Sequence, residues 1–139
     1  LVGSEMCIRD RNNRMELLAV IVALEQIKID GSDVLVTSDS KYVIDSVDKG
    51  WVFSWVKKGF KGKKNSDLWK RFLKIYPKHK IKFEWVKGHN NHPENERCDY
   101  MANNSAKSSN LISDTYYEKN IKGFIGNIEP RYVFEKKLL

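Results

Sequence analysis

A short apolar run from Val34 to Val36 constrains the fold more than any other stretch of the chain. Three consecutive apolar residues without polar alternation favour a central parallel strand that is covered on both faces. Parallel strands need long crossover connections, which are usually helices. A helical pattern precedes the run, because residues 13–29 carry two apolar stripes that indicate a largely buried helix. We therefore expect an α/β fold.

The pattern after this strand continues the alternation. Ser40 and Ser66 are predicted to cap two helices, and Pro77 is predicted to end the second of them. Residues 81–85 alternate apolar and polar residues, which predicts a strand. Pro93 suits the first position of a last helix. Its predicted buried stripe is Cys98, Met101, Ala102 and Ser105.

Positive charge is concentrated in one segment of the chain. The formal net charge is +7, yet residues 57–87 hold twelve Lys or Arg residues and only two acids, so this segment alone carries +10. A concentrated basic surface favours a polyanionic partner, most often nucleic acid. On charge alone, a solvated lysine-rich face explains the pattern equally well.

Length and cysteine content set broader limits. The chain has 139 residues, which is typical of one domain. Two cysteines, Cys7 and Cys98, are too few for a disulfide framework and favour a reducing, cytoplasmic setting. The longest apolar run, residues 17–24, is too short to span a membrane. We therefore expect no membrane association.

Three acids occupy positions that suit a functional site. Glu16 lies near the start of the first helix, Asp39 follows the predicted central strand, and Asp99 lies in the last helix. Sites in open α/β sheets form beyond the carboxyl ends of the strands. Each acid also has a simpler interpretation: a helix-dipole charge for Glu16, a cap for Asp39, a solvated residue for Asp99. If they converge, their oxygens suit Mg²⁺ or Mn²⁺.

Four motifs resemble those of bacterial-type (type 1) ribonuclease H. They are Asn12–Leu17, Thr37–Val43, Trp85–His89 and His92–Asp99, and the resemblance covers about residues 12–109. It implies a ribonuclease H-like mixed sheet with helices on both faces. It also implies an endonuclease that hydrolyses the RNA strand of RNA–DNA hybrids, acts as a monomer, and leaves 5′-phosphate and 3′-hydroxyl ends.

The resemblance assigns roles to the matching residues. Glu16, Asp39 and Asp99 would be metal ligands, and His89 would assist proton transfer or product release. Two Mg²⁺ ions roughly 4 Å apart, or Mn²⁺ in their place, would activate water and neutralise the leaving oxygen. Without the motif, His89 would be interpreted as an exposed loop histidine.

Substrate contacts follow from the same resemblance. Asn12 and Asn13 match positions that touch the minor groove, where they could recognise ribose 2′-hydroxyl groups; helix capping is their alternative role. Lys41 stands where family members often have Gln. Trp69 and Trp85 are expected in the core. The remaining predicted contacts, in or beside a basic protrusion that would grip the DNA strand, are Trp51, Trp55, Lys57, Lys58, Lys61 and Asn65.

The chain also departs from the family pattern. A fourth acid, expected on an opening strand some forty residues before the Asn12–Leu17 motif, has no counterpart, and Asp10 and Asp30 stand in the wrong contexts. We interpret residues 1–11 as a non-family leader of adapter or vector origin, 12–109 as a partial catalytic domain whose first three strands are missing, and 110–139 as a tail. The expectation is a chain that is inactive and poorly folded as written.

Two other functions stay open at this point. One is a non-catalytic nucleic-acid-binding module, which would keep the basic loop at residues 57–64 but would not cleave its ligand. The other is a related fold member that acts on DNA, such as a resolvase or integrase. The missing fourth acid favours the first alternative, and it is opposed by Glu16, Asp39, His89 and Asp99. The second is opposed by the His92–Glu96 run and by the basic protrusion.

Overall fold

The computed structural model describes residues 2–88, 93–116 and 119. The chain forms two compact units, residues 1–90 and residues 91–139, and each is described by itself. No helix in the described ranges combines the length and the apolar character that a bilayer crossing requires.

The first unit alternates helices with two strands, which confirms the predicted α/β class. Its elements are α1 (Val2–Glu25), β1 (Asp33–Ser38), α2 (Lys41–Asp48), α3 (Trp51–Lys57), α4 (Ser66–Ile75), a short 3₁₀ helix (Tyr76–Lys78) and β2 (Lys80–Trp85). The second unit contributes α5 (Pro93–Ala106), which begins at the predicted proline.

Helix α1 begins at Val2, eleven residues before the start that the apolar pattern predicted. Residues 4–25 contain neither glycine nor proline and are rich in good helix formers. Once packing has nucleated a helix, each further residue adds one hydrogen bond at little cost, so the helix extends without an apolar stripe. An apolar period therefore locates the buried part of a helix and not its ends.

Strands β1 and β2 pair in parallel, with Val34 opposite Ile81 and Val36 opposite Phe83. These four residues are half-buried and pack against the core. Leu35 points the other way and is 60% exposed. The prediction that β1 is covered on both faces is therefore wrong for the described residues, because the Leu35 side chain is exposed.

The core lies between the sheet and helices α1, α2 and α4, with Trp69 at its centre. Trp69 is fully buried, as predicted, and contacts the rings of Tyr42, Trp55 and Phe72 at centroid distances of 5.7, 5.8 and 5.6 Å. Tilted and edge-on ring pairs each add about 0.5–1.5 kcal/mol beyond area burial. This aromatic cluster fixes α2, α3 and α4 against one another.

The predicted buried stripe of α5 is wrong. Cys98, Met101, Ala102 and Ser105 are all exposed, and Met101 retains 57% of its accessible surface. The half-buried side chains are instead Asn95 and Asp99, which lie four residues apart on one helix face. The prediction failed because it assumed that the less exposed face of α5 is apolar, whereas that face carries the polar residues Asn95 and Asp99.

Candidate active site

The carboxyl ends of β1 and β2 meet at one edge of the sheet. Asp39 follows the last residue of β1, and the backbone N–H of Val86 donates to the carbonyl oxygen of Ser38 at 3.0 Å. This bond extends the pairing one residue beyond β2. It brings the segment that leads to Gly88 alongside Asp39.

Gly88 lies directly against the Asp39 carboxylate. A methyl group added at Gly88 would overlap Oδ2 of Asp39 and lie 3.2 Å from its Cγ. Only glycine lets the backbone approach the carboxylate so closely. Gly88 belongs to the Trp85–His89 motif, and its place in that motif is the sequence signal for a role that was not predicted.

Trp85 also borders this site. It is 43% exposed, so the prediction of a core position is wrong. It is the last residue of β2. Its indole N–H donates to the backbone oxygen of Asp39 at 3.1 Å, and Nζ of Lys41 lies 4.8 Å from its ring centroid. Trp85 therefore joins the Asp39 backbone to β2 by a hydrogen bond, and the Lys41 charge lies over the Trp85 ring.

The motif on α1 divides between an outer and an inner face. Asn12 and Glu16 are exposed and four residues apart, so they share one face. Asn13 is half-buried, and Arg14 is 3% exposed. The Arg14 guanidinium donates to both carboxylate oxygens of Asp67, at 2.9 and 2.7 Å. This pair was not predicted, because in the sequence Asp67 is distinguished only by its charge.

The basic loop, residues 57–64, is held by a buried aromatic side chain. Phe60 is 8% exposed and has a left-handed φ of 57°, and the loop glycines Gly59 and Gly62 are also left-handed, with φ of 61° and 68°. This tight path buries the phenyl ring and leaves the predicted contacts Lys57, Lys58 and Lys61 exposed.

Two tryptophans of α3 precede the basic loop. Trp55 is half-buried against Trp69, and Nζ of Lys63 lies 5.2 Å from its ring centroid. Trp51 is exposed, with Nζ of Lys49 at 5.0 Å. Lysine over an exposed indole is a favourable cation–π pair. Charge and aromatic surface are therefore adjacent on this side of the unit.

Comparison with known proteins decides the family. The sequence profile of ribonuclease H (RNase H) matches residues 3–107.

This chain belongs to the ribonuclease H family.

Individual ribonucleases H place it among the bacterial type 1 enzymes. It is 49% identical to ribonuclease H of Desulforamulus reducens, covering 74% of this chain and 67% of that protein. It is 48% identical to ribonuclease HI of Campylobacter jejuni, covering 68% and 64%. It therefore spans about two thirds of these relatives. A crystal structure of LC9-RNase H1, described as a type 1 RNase H with the type 2 active-site motif, matches at 32% identity with a TM-score of 0.60, covering 78% of this chain and 55% of the other.

Ribonucleases H generally use divalent metal ions. The residues of this chain fit such an ion, because carboxylate oxygens are ligands that divalent cations prefer. The carboxylate of Asp39 lies at the sheet edge, where Gly88 has no side chain to displace it. Among the described residues, no three His, Cys, Asp or Glu side chains are grouped closely enough to hold a metal. Glu16 and Asp39 belong to the first unit, and the half-buried Asp99 belongs to the second. Their convergence stays a prediction.

His89 lies outside the described residues, so its predicted role stays untested. Asn65 is described, and its side chain already has two partners: it accepts from Arg14 at 3.4 Å and donates to the Tyr42 hydroxyl at 3.3 Å. It is also the N-cap of α4, one residue before the predicted cap Ser66. Its role in substrate binding stays a prediction. So do the domain boundaries at residues 11 and 109.

Proposed function

We propose that this chain supplies the acid-bearing part of an endonuclease that hydrolyses the RNA strand of RNA–DNA hybrids and leaves 5′-phosphate and 3′-hydroxyl ends. The observation that carries the proposal is the Asp39 carboxylate at the carboxyl edge of the sheet, against the backbone of Gly88. Ligand sites in open α/β sheets form at this edge. Membership of the ribonuclease H family supports the same reaction.

Glu16, Asp39 and Asp99 would hold two Mg²⁺ ions, or Mn²⁺ in their place. Such ions, when bound, activate a water and neutralise the departing oxygen of the phosphodiester. The protein contributes orientation. Gly88 allows the close approach of the loop to Asp39, and Trp85 holds the backbone on which this carboxylate depends. His89 would move a proton at the leaving group or assist product release.

Selection of the hybrid would depend on two surfaces of the first unit. Asn12 and Asn13 would contact ribose 2′-hydroxyl groups, the feature that separates RNA from DNA. The exposed lysines of the basic loop would contact phosphates of the DNA strand, and Trp51, Trp55 and Lys41 would contact the substrate beside them. The first proposed surface would distinguish the RNA strand from DNA, and the second would supply binding affinity through phosphate contacts.

Cleavage of matched substrates tests the proposal. With Mg²⁺, the endonuclease to which this chain contributes should cut RNA paired with DNA and leave duplex DNA and single-stranded RNA intact. Asp39→Asn should lower turnover by at least about a hundredfold, because it removes a charge that the metal site needs, while hybrid binding stays near normal. Asp48→Asn, which neutralises an exposed acid of α2, is the matched control and should cut normally.

Two results would contradict the proposal. Cleavage of duplex DNA at a comparable rate would assign the chain to the DNA-cutting relatives of the fold. Hybrid binding without cleavage would favour a non-catalytic binding module, which the exposed basic loop could serve by itself.

A further inference from the structure

A partly buried polar network begins at Arg14, two residues before Glu16. The Arg14 guanidinium is bound by both oxygens of Asp67 and by Oδ1 of Asn65. Asp67 and Asn65 both belong to the amino-terminal end of α4. A bidentate arginine–carboxylate pair fixes orientation as well as distance, because the two planar groups must align. The pair therefore sets the rotation of α1 about its own axis.

The same network continues to the segment that carries Asp39. Nδ2 of Asn65 donates to the Tyr42 hydroxyl at 3.3 Å, and the indole N–H of Trp69 donates to the same oxygen at 2.8 Å. Tyr42 lies in the first turn of α2, three residues after Asp39. The start of α4 thus joins the helix that bears Glu16 to the segment that bears Asp39.

Arg14 and Glu16 point in different directions from α1. Two residues correspond to roughly 200° around a helix axis, so a buried Arg14 places Glu16 on the outer side. This agrees with the exposures, since Arg14 is buried and Glu16 is exposed. Any roll of α1 that loosened the pair with Asp67 would turn Glu16 through the same angle.

We propose that Arg14 is a positioning residue, which acts through Asp67 and the Asn65–Tyr42 connection to hold Glu16 in one orientation relative to Asp39 for binding a divalent cation. The inference rests on the proposed function, because that function assigns Glu16 and Asp39 as metal ligands. Groups that orient metal ligands without touching the metal commonly change affinity or activity about 10–100-fold when they are removed.

The chain offers a matched control for a merely structural clamp. Glu25, at the end of α1, also joins α1 to α4 through two hydrogen bonds from an arginine, Arg71. These bonds lower the pKa of the Glu25 carboxyl below its usual value. This second pair is more exposed and lies nine residues beyond Glu16. It shares the helices and the chemistry of the Arg14–Asp67 pair but not its connection to Tyr42.

The test compares Asp67→Asn with Glu25→Gln in the 139-residue chain. For each variant, Mn²⁺ affinity is measured by calorimetric titration. The kcat and KM are measured on a hybrid substrate, and the melting temperature is measured by thermal unfolding. Asp67→Asn should weaken Mn²⁺ binding about tenfold and lower kcat at limiting metal, with KM for the hybrid nearly unchanged. Glu25→Gln should change Mn²⁺ affinity by less than about twofold. Equal effects of the two substitutions on Mn²⁺ affinity would overturn the proposal.

A second variant keeps the inference testable if Asp67→Asn does not fold. Tyr42→Phe removes only the hydroxyl that receives the bonds from Asn65 and Trp69. It should weaken Mn²⁺ binding in the same direction as Asp67→Asn, and unaltered affinity would overturn the proposal. A wild-type chain that binds Mn²⁺ but cuts no hybrid would bear on the proposed function alone and leave the affinity comparison in force.

Discussion

Gly88 shows how one residue without a side chain can decide the geometry of a carboxylate. Its backbone lies where any larger residue would push into Asp39, and its φ is not in the left-handed region that would by itself require glycine. The requirement is therefore for space beside the acid and not for an unusual backbone. Substitution here should affect function more than stability.

We predict that Gly88→Ala lowers hybrid cleavage about 10–100-fold, because the added methyl group displaces the Asp39 carboxylate. Gly31→Ala provides the contrast: Gly31 has a φ of 79° with open space around it. That substitution should cost about 1–2 kcal/mol of unfolding free energy through backbone strain and leave cleavage unchanged in the folded protein. Thermal unfolding and initial rates, measured on both variants, check the prediction. Normal cleavage by Gly88→Ala would show that Asp39 tolerates displacement.

At the scale of elements, the basic loop combines a fixed backbone with exposed charges. Phe60 anchors the loop in the core, so the backbone that carries its lysines keeps its position without needing a ligand to order it. A preordered cationic surface loses less conformational entropy when it binds phosphate. The loop should therefore contribute affinity by counterion release and leave the chemical step alone.

We predict that replacing Lys57, Lys58 and Lys61 with Ala weakens hybrid binding and reduces the slope of log K against log salt by about one for each lost phosphate contact. Turnover at saturating hybrid should change little. A control with the exposed residues Lys78, Lys80 and Lys82 replaced keeps the change in net charge equal. Binding titrations between low and moderate salt give both slopes. If the two triple variants behave alike, net charge explains the effect and the loop has no special part in it.

Most of the elements could be predicted from sequence, because each carries its own periodicity. The amphipathic pattern of α4 and the alternation of β2 are local signals, and both elements form where expected. The position of Trp85 and the inner face of α5 could not be predicted, since both depend on what lies opposite them in space. The Arg14–Asp67 pair is also non-local, since its partners lie 53 positions apart in the sequence. The motifs indicated which acids matter but not what orients them.

At the scale of the whole molecule, the described sheet has one covered face and one exposed face. Leu35 is the exposed apolar residue of β1, and among the described residues β1 pairs with β2 alone. Its other edge thus presents backbone donors and acceptors beside an apolar side chain. Such edges tend to pair with other chains.

We therefore predict that the 139-residue chain self-associates through β1 as its concentration rises. Leu35→Lys should shift the population towards monomer, because a charge on this face is desolvated when strands of two chains pair side by side and pack. Ile29→Lys is the matched control: Ile29 is 74% exposed but lies before the strand, so the same substitution there should have little effect. Light scattering coupled to size-exclusion chromatography, over about a hundredfold range of concentration, measures the population directly. A wild-type chain that stays monomeric throughout, or an equal response to the two substitutions, would show that the exposed side of β1 does not drive association.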